Sequence, residues 1–380
     1  MKIDKLNVYL VRLPFKGEFS ISKLDRLFSD TIIAELVCNE KGLKGYGEGL
    51  PVEFVTGETP QTVMDAIKVF VHHRKFPRNF QSIQQVWDFV DALPSGKKNN
   101  AAICALETAL LDLLGQAQGK SALEYFDHTF FTPKIHYSGT VTLGSRDRVM
   151  ELCHGIKSLG IKHVRVKMAD NFQQNQEILE IVRCVLGNEC ELRVDPNGVW
   201  DTELAFRHLS LFSDLNVKVV EEPMPRHTEG FEDFAQALKN CGIYLMACES
   251  APTLREVKRI AAEGLYKIIN VKISRSGGFR RSLRIIDFIR KNGLFFQIGC
   301  TIGESGILSS AGRVLGLLCN DALCYDGSYD AYILQKNVTS QDVGFGFRGE
   351  AGRLEGNGLG IQVDPHRLKS LTQSSVSITF

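Results

Sequence analysis

The sequence has almost no net charge, no long apolar run and no closely paired cysteines. Its 45 lysines and arginines stand against 44 aspartates and glutamates, a formal net charge of +1. That balance leaves no electrostatic footprint for nucleic acid or for an anionic membrane surface. No segment approaches the roughly 18 uninterrupted apolar residues of a membrane-spanning helix. The opening MKIDKLNVYLVRL alternates polar and apolar residues like an edge strand and lacks the apolar core of a signal peptide, so a cytoplasmic protein is expected. The ten cysteines are scattered singly with no C-x-x-C pair; they read as reduced core thiols rather than a disulfide framework or a zinc site. His128, His136 and His163 have no metal-ligand spacing and read as structural. The glycine-rich tail, GFGFRG through GNGLG, lacks the preceding strand and following helix of a dinucleotide or phosphate loop and reads as turns. What remains is a globular protein that acts on a small molecule.

Length and rhythm carry the positive information. With 380 residues, 44% of them hydrophobic, the chain can bury a large core, and the length suggests one large domain with a smaller one. As far as about residue 55 it is strand-like, with Asn39-Glu40-Lys41-Gly42 as a turn between two alternating runs, and a small antiparallel sheet is expected. From 60 to 126 it turns helical. Thr59-Pro60 is a start signal, and AAICALETALLDLLGQAQ is periodic at helical spacing until Gly119, its face reading as core rather than partner surface. From about 134, short β-branched runs alternate with amphipathic helical stretches: HVRVKM, ELRVD, VKVVEE, IYLMACE, KIINVKI and LFFQIGC. This is a βαβα signature. Lys167 to Asp195 spans 28 residues, Asp195 to Glu221 26, Glu221 to Cys248 27 and Glu249 to Lys272 23, about the length of one βα unit in a closed barrel.

Each of these strands ends in a polar group, and the active site of such a barrel forms at the carboxyl ends of its strands. Residues two apart share a face, so Arg165 with Lys167, and Asn270 with Lys272, point together into the barrel mouth. Singly, each residue has an ordinary explanation. Asp195 in LRVDPNGVW could merely open a turn, Lys167 and Lys272 could be solvated, and Glu221-Glu222-Pro223 could be a strand terminus. Four or five successive strands ending in ionisable groups in the same phase are hard to obtain from surface decoration.

The order R-x-K (165–167), D-x-N-x-x-W (195–200), E-E-P (221–223), A-C-E-S (247–250) and N-x-K (270–272) with Gly277-Gly278 resembles the enolase superfamily. Within it the likeness is to the muconate-lactonizing-enzyme and mandelate-racemase-like subgroup. G-Y-G-E (45–48) and T-G-E-T-P (56–60) resemble its capping domain, and G-C-T-I-G-E-S (299–305) the end of a later strand. The resemblance implies an α/β fold, a modified TIM barrel (β/α)7β over residues 129–330 with an N-terminal α+β capping domain over 1–128. Residues 331–380 are then expected to return to the cap, and a homo-oligomer is implied.

Removing a proton α to a carboxylate creates an enediolate with two negative oxygens, which a divalent cation must neutralise. Enolase-superfamily sites pair a lysine or histidine base with one or two magnesium ions. The resemblance implies Mg2+, with Mn2+ as the substitute, on the hard carboxylates of Asp195 and Glu221, and Lys167 and Lys272 on opposite faces of a small-molecule carboxylate substrate. Arg165, two residues from Lys167, would lower its pKa by like-charge repulsion. Two positions depart from the pattern. The family usually has lysine where Arg165 stands, and Asp-Glu where this chain has Cys248-Glu249. A thiolate suits softer metals, so Glu249 is expected as third ligand; a different metal or weaker metal binding are the alternatives.

FKGEFSISKLDRLFS (15–29) and T-G-E-T-P resemble dipeptide epimerases, whose Asp-x-Asp near the eighth strand is here Cys324-Tyr325-Asp326. Asp326 and Glu304 are the expected substrate-side groups. The reading is thus racemisation or epimerisation of an amino-acid derivative such as a dipeptide. The alternatives are muconate-type cycloisomerisation, dehydration of the o-succinylbenzoate-synthase kind, or a catalytically silent carboxylate-binding homologue.

Overall fold

The computed structural model describes residues 1–21, 24–39 and 42–380. Its strands are β1 (Lys5–Ile21), β2 (Leu24–Cys38), β3 (Leu43–Gly49), β4 (Lys134–His136), β5 (Gly139–Val141), β6 (His163–Lys167) and β7 (Glu191–Asp195). They continue with β8 (Val217–Glu221), β9 (Tyr244–Ala247), β10 (Ile268–Lys272), β11 (Phe295–Gly299), β12 (Glu350–Gly352) and β13 (Thr372–Thr379).

The expected antiparallel sheet is present and takes in the C-terminal strand, in the order β13-β1-β2-β3. Gly42 N donates to the carbonyl of Asn39 at 3.1 Å; Glu40 and Lys41 of that turn, and Ser22 and Lys23 of the 15–29 segment, lie outside the described residues. Helix Pro60–Phe70 begins where Thr59 and Thr62 form a reciprocal capping box with proline in the first turn. Helix Asn100–Gln118 ends at Gly119 in the left-handed conformation, φ 66°, and is buried on all sides from 100 to 115. The alternate glycines of β3 explain its depth. A Cβ on Gly45, Gly47 or Gly49 would come within 2.4, 2.1 or 2.0 Å of helix atoms, so only glycine lets strand and helix backbones approach this closely.

The parallel sheet runs β11-β10-β9-β8-β7-β6-β5, with helices such as Phe172–Leu186 and Thr202–Asp214 between successive strands. Residues 323–326 close it into a barrel. Leu323 N donates to Phe296 O at 2.9 Å, Asp326 N to Ile298 O at 2.8 Å, and Ser138 N to Tyr325 O at 2.7 Å, so Tyr325 bridges β11 on one side and Tyr137 on the other. This is the (β/α)7β arrangement with an antiparallel sheet and helices beside it.

Carboxylates stitch the seam between the two parts. Glu48 of G-Y-G-E is fully buried and accepts from Thr31 Oγ1, Ser305 N, Ser305 Oγ and Leu308 N, tying β2 to the start of helix Gly306–Leu317. Glu107 accepts from Arg280 N at 2.9 Å, at the start of helix Phe279–Lys291. Both contacts set a carboxyl group at a helix N-terminus, where it accepts from otherwise unpaired backbone N–H groups. The glycine-rich tail packs here as turns: a Cβ on Gly358 would lie 2.0 Å from Asp112 Oδ1. All ten cysteines are free; Cys184 and Cys241 are exposed, where core positions were expected. His128, His136 and His163 make local contacts to Leu123 O, Arg348 O and Glu191. Among the described residues no helix is long and apolar enough to cross a membrane.

Candidate active site

Arg165, Lys167, Glu249 and Lys272 line one cavity of about 70 Å³ at the carboxyl ends of the barrel strands, together with Asn197, Arg275, residues 300–302, and Val52, Phe54 and Val55 from the segment after β3. A larger cavity of about 280 Å³ opens at the other end of the barrel, among strand-start residues such as Val164, Leu192 and Val219. The convergence of ionisable groups, not volume, marks the site. Lys167 ends β6 and Lys272 ends β10, four places apart in the sheet order, so in a barrel of eight strands they enter from opposite walls.

Asp195 ends β7, and its chain turns at once: Asn197 and Gly198 are left-handed, φ 55° and 70°. Trp200 Nε1 donates to Ala169 O at 2.6 Å, pinning the far side of that turn. The turn presents Asn197 as a hub. Lys167 Nζ donates to Asp195 Oδ2 at 2.5 Å and to Asn197 Oδ1 at 2.8 Å, while Asn197 Nδ2 donates to Glu249 Oε1 at 2.9 Å. Burial and the charge of Glu221 push the Asp195 carboxyl up, against the pull of Lys167.

Glu221 ends β8. Asn270 Nδ2 donates to its Oε1 at 2.8 Å, and Arg193 Nε approaches its Oε2 to 3.2 Å. Burial opposes its ionisation, but Arg193 and Arg165 hold the carboxyl well below the usual range. Glu222, left-handed at φ 40°, turns the other way: its Oε1 accepts from Cys248 N at 2.7 Å and from Ser250 N at 2.8 Å. It thereby fixes the turn that carries Cys248 and Glu249. Burial and Glu249 push Glu222 up to about 7. Burial likewise holds the Cys248 thiol far above its usual range, and Arg275 Nη1 donates to its sulfur at 3.0 Å.

The expected role of Arg165 changes in three dimensions. Its Nη1 lies 3.2 Å from Asp326 Oδ2, so its charge is shared with that carboxylate rather than left to repel Lys167. Asp326 also accepts from Arg193 Nη2 at 2.7 Å and Gln297 Nε2 at 2.9 Å, and is 2% exposed. It sits beneath the cavity as the shared counter-ion of two arginines. Glu304, 6% exposed, accepts from Thr301 N at 2.5 Å and is pushed up to about 8 by burial. It stands just behind the cavity wall. For Lys272, burial works against the charge, but Cys248 first, then Glu221 and Glu249, raise its pKa.

Among the described residues no three His, Cys, Asp or Glu side chains are gathered as a ready metal site, and Lys167 occupies Asp195 Oδ2. The donors nonetheless suit a hard divalent cation. Glu249 Oε2 is a buried oxygen with no hydrogen-bond partner, and Glu221 Oε2 has only the ion pair with Arg193; Asp195 would join them if Lys167 released it. Cys248 does not suit one: its sulfur is soft and faces a guanidinium.

Arg193, Arg275 and Glu222 were missed by sequence reasoning. The two-residue rule that paired Arg165 with Lys167 applies equally to Arg193 and Asp195, and would have found the first. Arg275 lies past its strand end, in the short helix Ile273–Ser276, where no periodicity points inward.

The chain as a whole is similar to known proteins. A family model described as Enolase C-terminal domain-like matches residues 148–367. A hydrophobic dipeptide epimerase from Enterococcus faecalis is 25% identical over 372 residues, 96% of each chain. An N-succinyl-L-Arg/Lys racemase from Bacillus cereus is 24% identical over 318 residues, 82% of this chain and 83% of that one. The crystal structure of a dipeptide epimerase from Cytophaga hutchinsonii, complexed with Mg and the dipeptide D-Ala-L-Val, covers 100% of both chains with a TM-score of 0.85 at 22% identity.

Proposed function

From the premise that this chain belongs to the Enolase C-terminal domain-like family, we propose that it is an isomerase that removes and returns the proton α to a carboxylate, racemising or epimerising an amino-acid derivative such as a dipeptide. The observation that carries this reading is the pair of lysines, Lys167 and Lys272, on opposite barrel walls and lining one cavity. A substrate held between them can lose its α-proton to one amine, and the planar enediolate so formed can regain a proton from the other side chain on the opposite face, which inverts the stereocentre. In the opposite direction the two exchange roles.

Asp195, Glu221 and Glu249 would hold a magnesium ion, or manganese in its place. When bound, the ion supplies the positive charge that makes an enediolate accessible. The chain's own residues do the positioning. Asn197 links Lys167 to Glu249, Asn270 holds Glu221, and Glu222 sets the turn that presents Glu249. Val52, Phe54 and Val55 supply an apolar edge to the cavity and limit water beside the reacting carbon.

The test is α-proton exchange in heavy water with a mixed set of dipeptides, N-acyl amino acids and small diacids, read by mass shift. Metal-dependent deuterium uptake that Lys167→Ala, Lys272→Ala and Asp195→Asn all impair is the expected result. Ring closure or loss of water from a diacid, without exchange into recovered amino-acid derivatives, would overturn it in favour of cycloisomerase or dehydratase chemistry.

A further inference from the structure

The second cavity lies at the amino-terminal mouth of the barrel, the end away from Lys167 and Lys272. A barrel interior is normally filled by layers of bulky branched side chains. Here the layer is incomplete, because small residues, Ser138 and Cys324, stand where residues 323–326 close the barrel. The gap measures about 280 Å³, nearly twice the ~150 Å³ of an apolar cavity that holds benzene. Val219, Met246, Ile268 and Leu323 form its apolar walls. Tyr244 and Leu323 stand at the rim, 46% and 45% exposed, with Phe295 set edge-on to Tyr244 at a ring separation of 6.1 Å. The opening therefore has an apolar collar, a feature that marks binding surfaces.

Among the described residues lining this cavity, the buried polar groups are matched with one exception. Arg193 Nη1 donates to Cys324 Sγ at 3.3 Å, and that thiol donates to Gln297 Oε1 at 2.9 Å. The rest of the Arg193 guanidinium turns the other way, to Asp326 at 2.7 Å and Glu221 at 3.2 Å. Its charge is thus taken up by the layer that separates this cavity from the one between the lysines. At the rim, Glu191 faces His163 at 3.1 Å, and the charge of Lys218 balances that of Glu191. Ser138 is the exception: it is 2% exposed, and its Oγ has no hydrogen-bond partner. A hydroxyl left buried and unpaired is unfavourable.

We propose that this cavity is a second ligand site, separate from the reaction cavity, for an uncharged and largely apolar molecule: a ring or short branched chain carrying one hydroxyl or carbonyl oxygen. The apolar body completes the unfilled layer, and the oxygen pairs with Ser138 Oγ. A charged ligand does not fit, because no unmatched charge on the floor would compensate its loss of hydration. Apolar walls with one or two placed polar groups are the usual make-up of a small-molecule pocket. The site does not depend on the reaction assigned to the other cavity.

The experiment titrates cyclohexylmethanol and cyclohexanecarboxylate into the protein, followed by ligand-observed nuclear magnetic resonance, with the wild type, Val219→Phe, Ser138→Ala and Lys272→Ala. Saturable binding of the alcohol at millimolar concentration or below is expected, at least tenfold tighter than that of the carboxylate. Val219→Phe fills the space and should weaken the alcohol at least tenfold. Ser138→Ala keeps the space and removes the hydroxyl, and should weaken it by about two- to tenfold, the worth of one hydrogen bond; it carries the test if Val219→Phe does not fold. Lys272→Ala should leave binding unchanged. Absence of saturable binding, equal binding of the carboxylate, or an affinity that Val219→Phe and Ser138→Ala leave intact overturns the proposal. So does loss of binding in Lys272→Ala, which would place the alcohol in the reaction cavity.

Discussion

Lys167 Nζ lies 2.5 Å from Asp195 Oδ2, so the proposed base and a proposed metal ligand are ion-paired with each other. A cation held by Asp195 would compete with the Lys167 side chain for Oδ2 and would leave that lysine outside the ion pair. Lys167→Ala should accordingly bind Mn2+ at least as tightly as the wild type, whereas Asp195→Asn should lose at least tenfold. Titration of Mn2+ followed by electron paramagnetic resonance measures both, and a tenfold weaker affinity in Lys167→Ala would contradict the coupling.

The two lysines predict different defects for the two hands of the substrate. Each single alanine variant should lose racemisation by roughly 10²- to 10⁴-fold, the usual worth of a general acid or base. Each should still exchange the α-proton of the one enantiomer that faces its surviving lysine. Mass spectrometry of separated enantiomers after incubation in heavy water reads this directly. Loss of exchange with both enantiomers in both variants would show that the lysines do not act on opposite faces.

Asp326 pairs with both Arg165 and Arg193, and Glu221 shares the charge of Arg193. Asp326→Ala should destabilise the fold by about 3–5 kcal/mol, the usual cost of stranding buried charge. Urea unfolding checks it. A residue whose main duty is to hold substrate would instead change affinity and leave the unfolding midpoint in place.

Gly47→Ala should be among the most damaging single-methyl changes in the chain. The added carbon would meet Ala105 O at 2.1 Å and Ala109 N at 2.4 Å, and neither backbone can move without shifting helix or strand. A loss of about 3 kcal/mol or more is expected, at or beyond the upper end of ordinary overpacking. Thermal melting of purified protein, or its absence from the soluble fraction, is the readout.

Burial pushes Glu107 up to about 8, against the opposing hydrogen bond from Arg280 N. Its folded pKa is thus above the unfolded value near 4.5, so the folded state holds a proton that the unfolded state has released. Stability should fall as pH rises from about 4.5 to about 8 and level off beyond, by an amount on the order of a few kcal/mol from this group. Glu107→Gln, neutral throughout, should flatten that part of the profile. Urea midpoints for both proteins at pH 5, 6, 7 and 8 provide the measurement, and parallel profiles would rule out Glu107 as the source.

The sequence by itself determined where the strands and their polar ends lie. Strand and helix periods are local properties, and the βα repeat alone puts Lys167, Asp195, Glu221, Glu249 and Lys272 at the carboxyl ends of successive strands. Thr59-Pro60 and Gly119 bounded their helices for equally local reasons, a cap and a left-handed residue. Only the tertiary structure decided which charge meets which. Asp326 pairs with Arg165 and Arg193 because the last strand closes the barrel next to the first. Lys167 finds Asp195 because neighbouring strands pair Lys167 with Asp195 in register. Arg275 meets Cys248 because the two face each other across the site. Those pairings join residues 27 to 161 positions apart in the chain, and a local pattern carries no information about distance across a barrel.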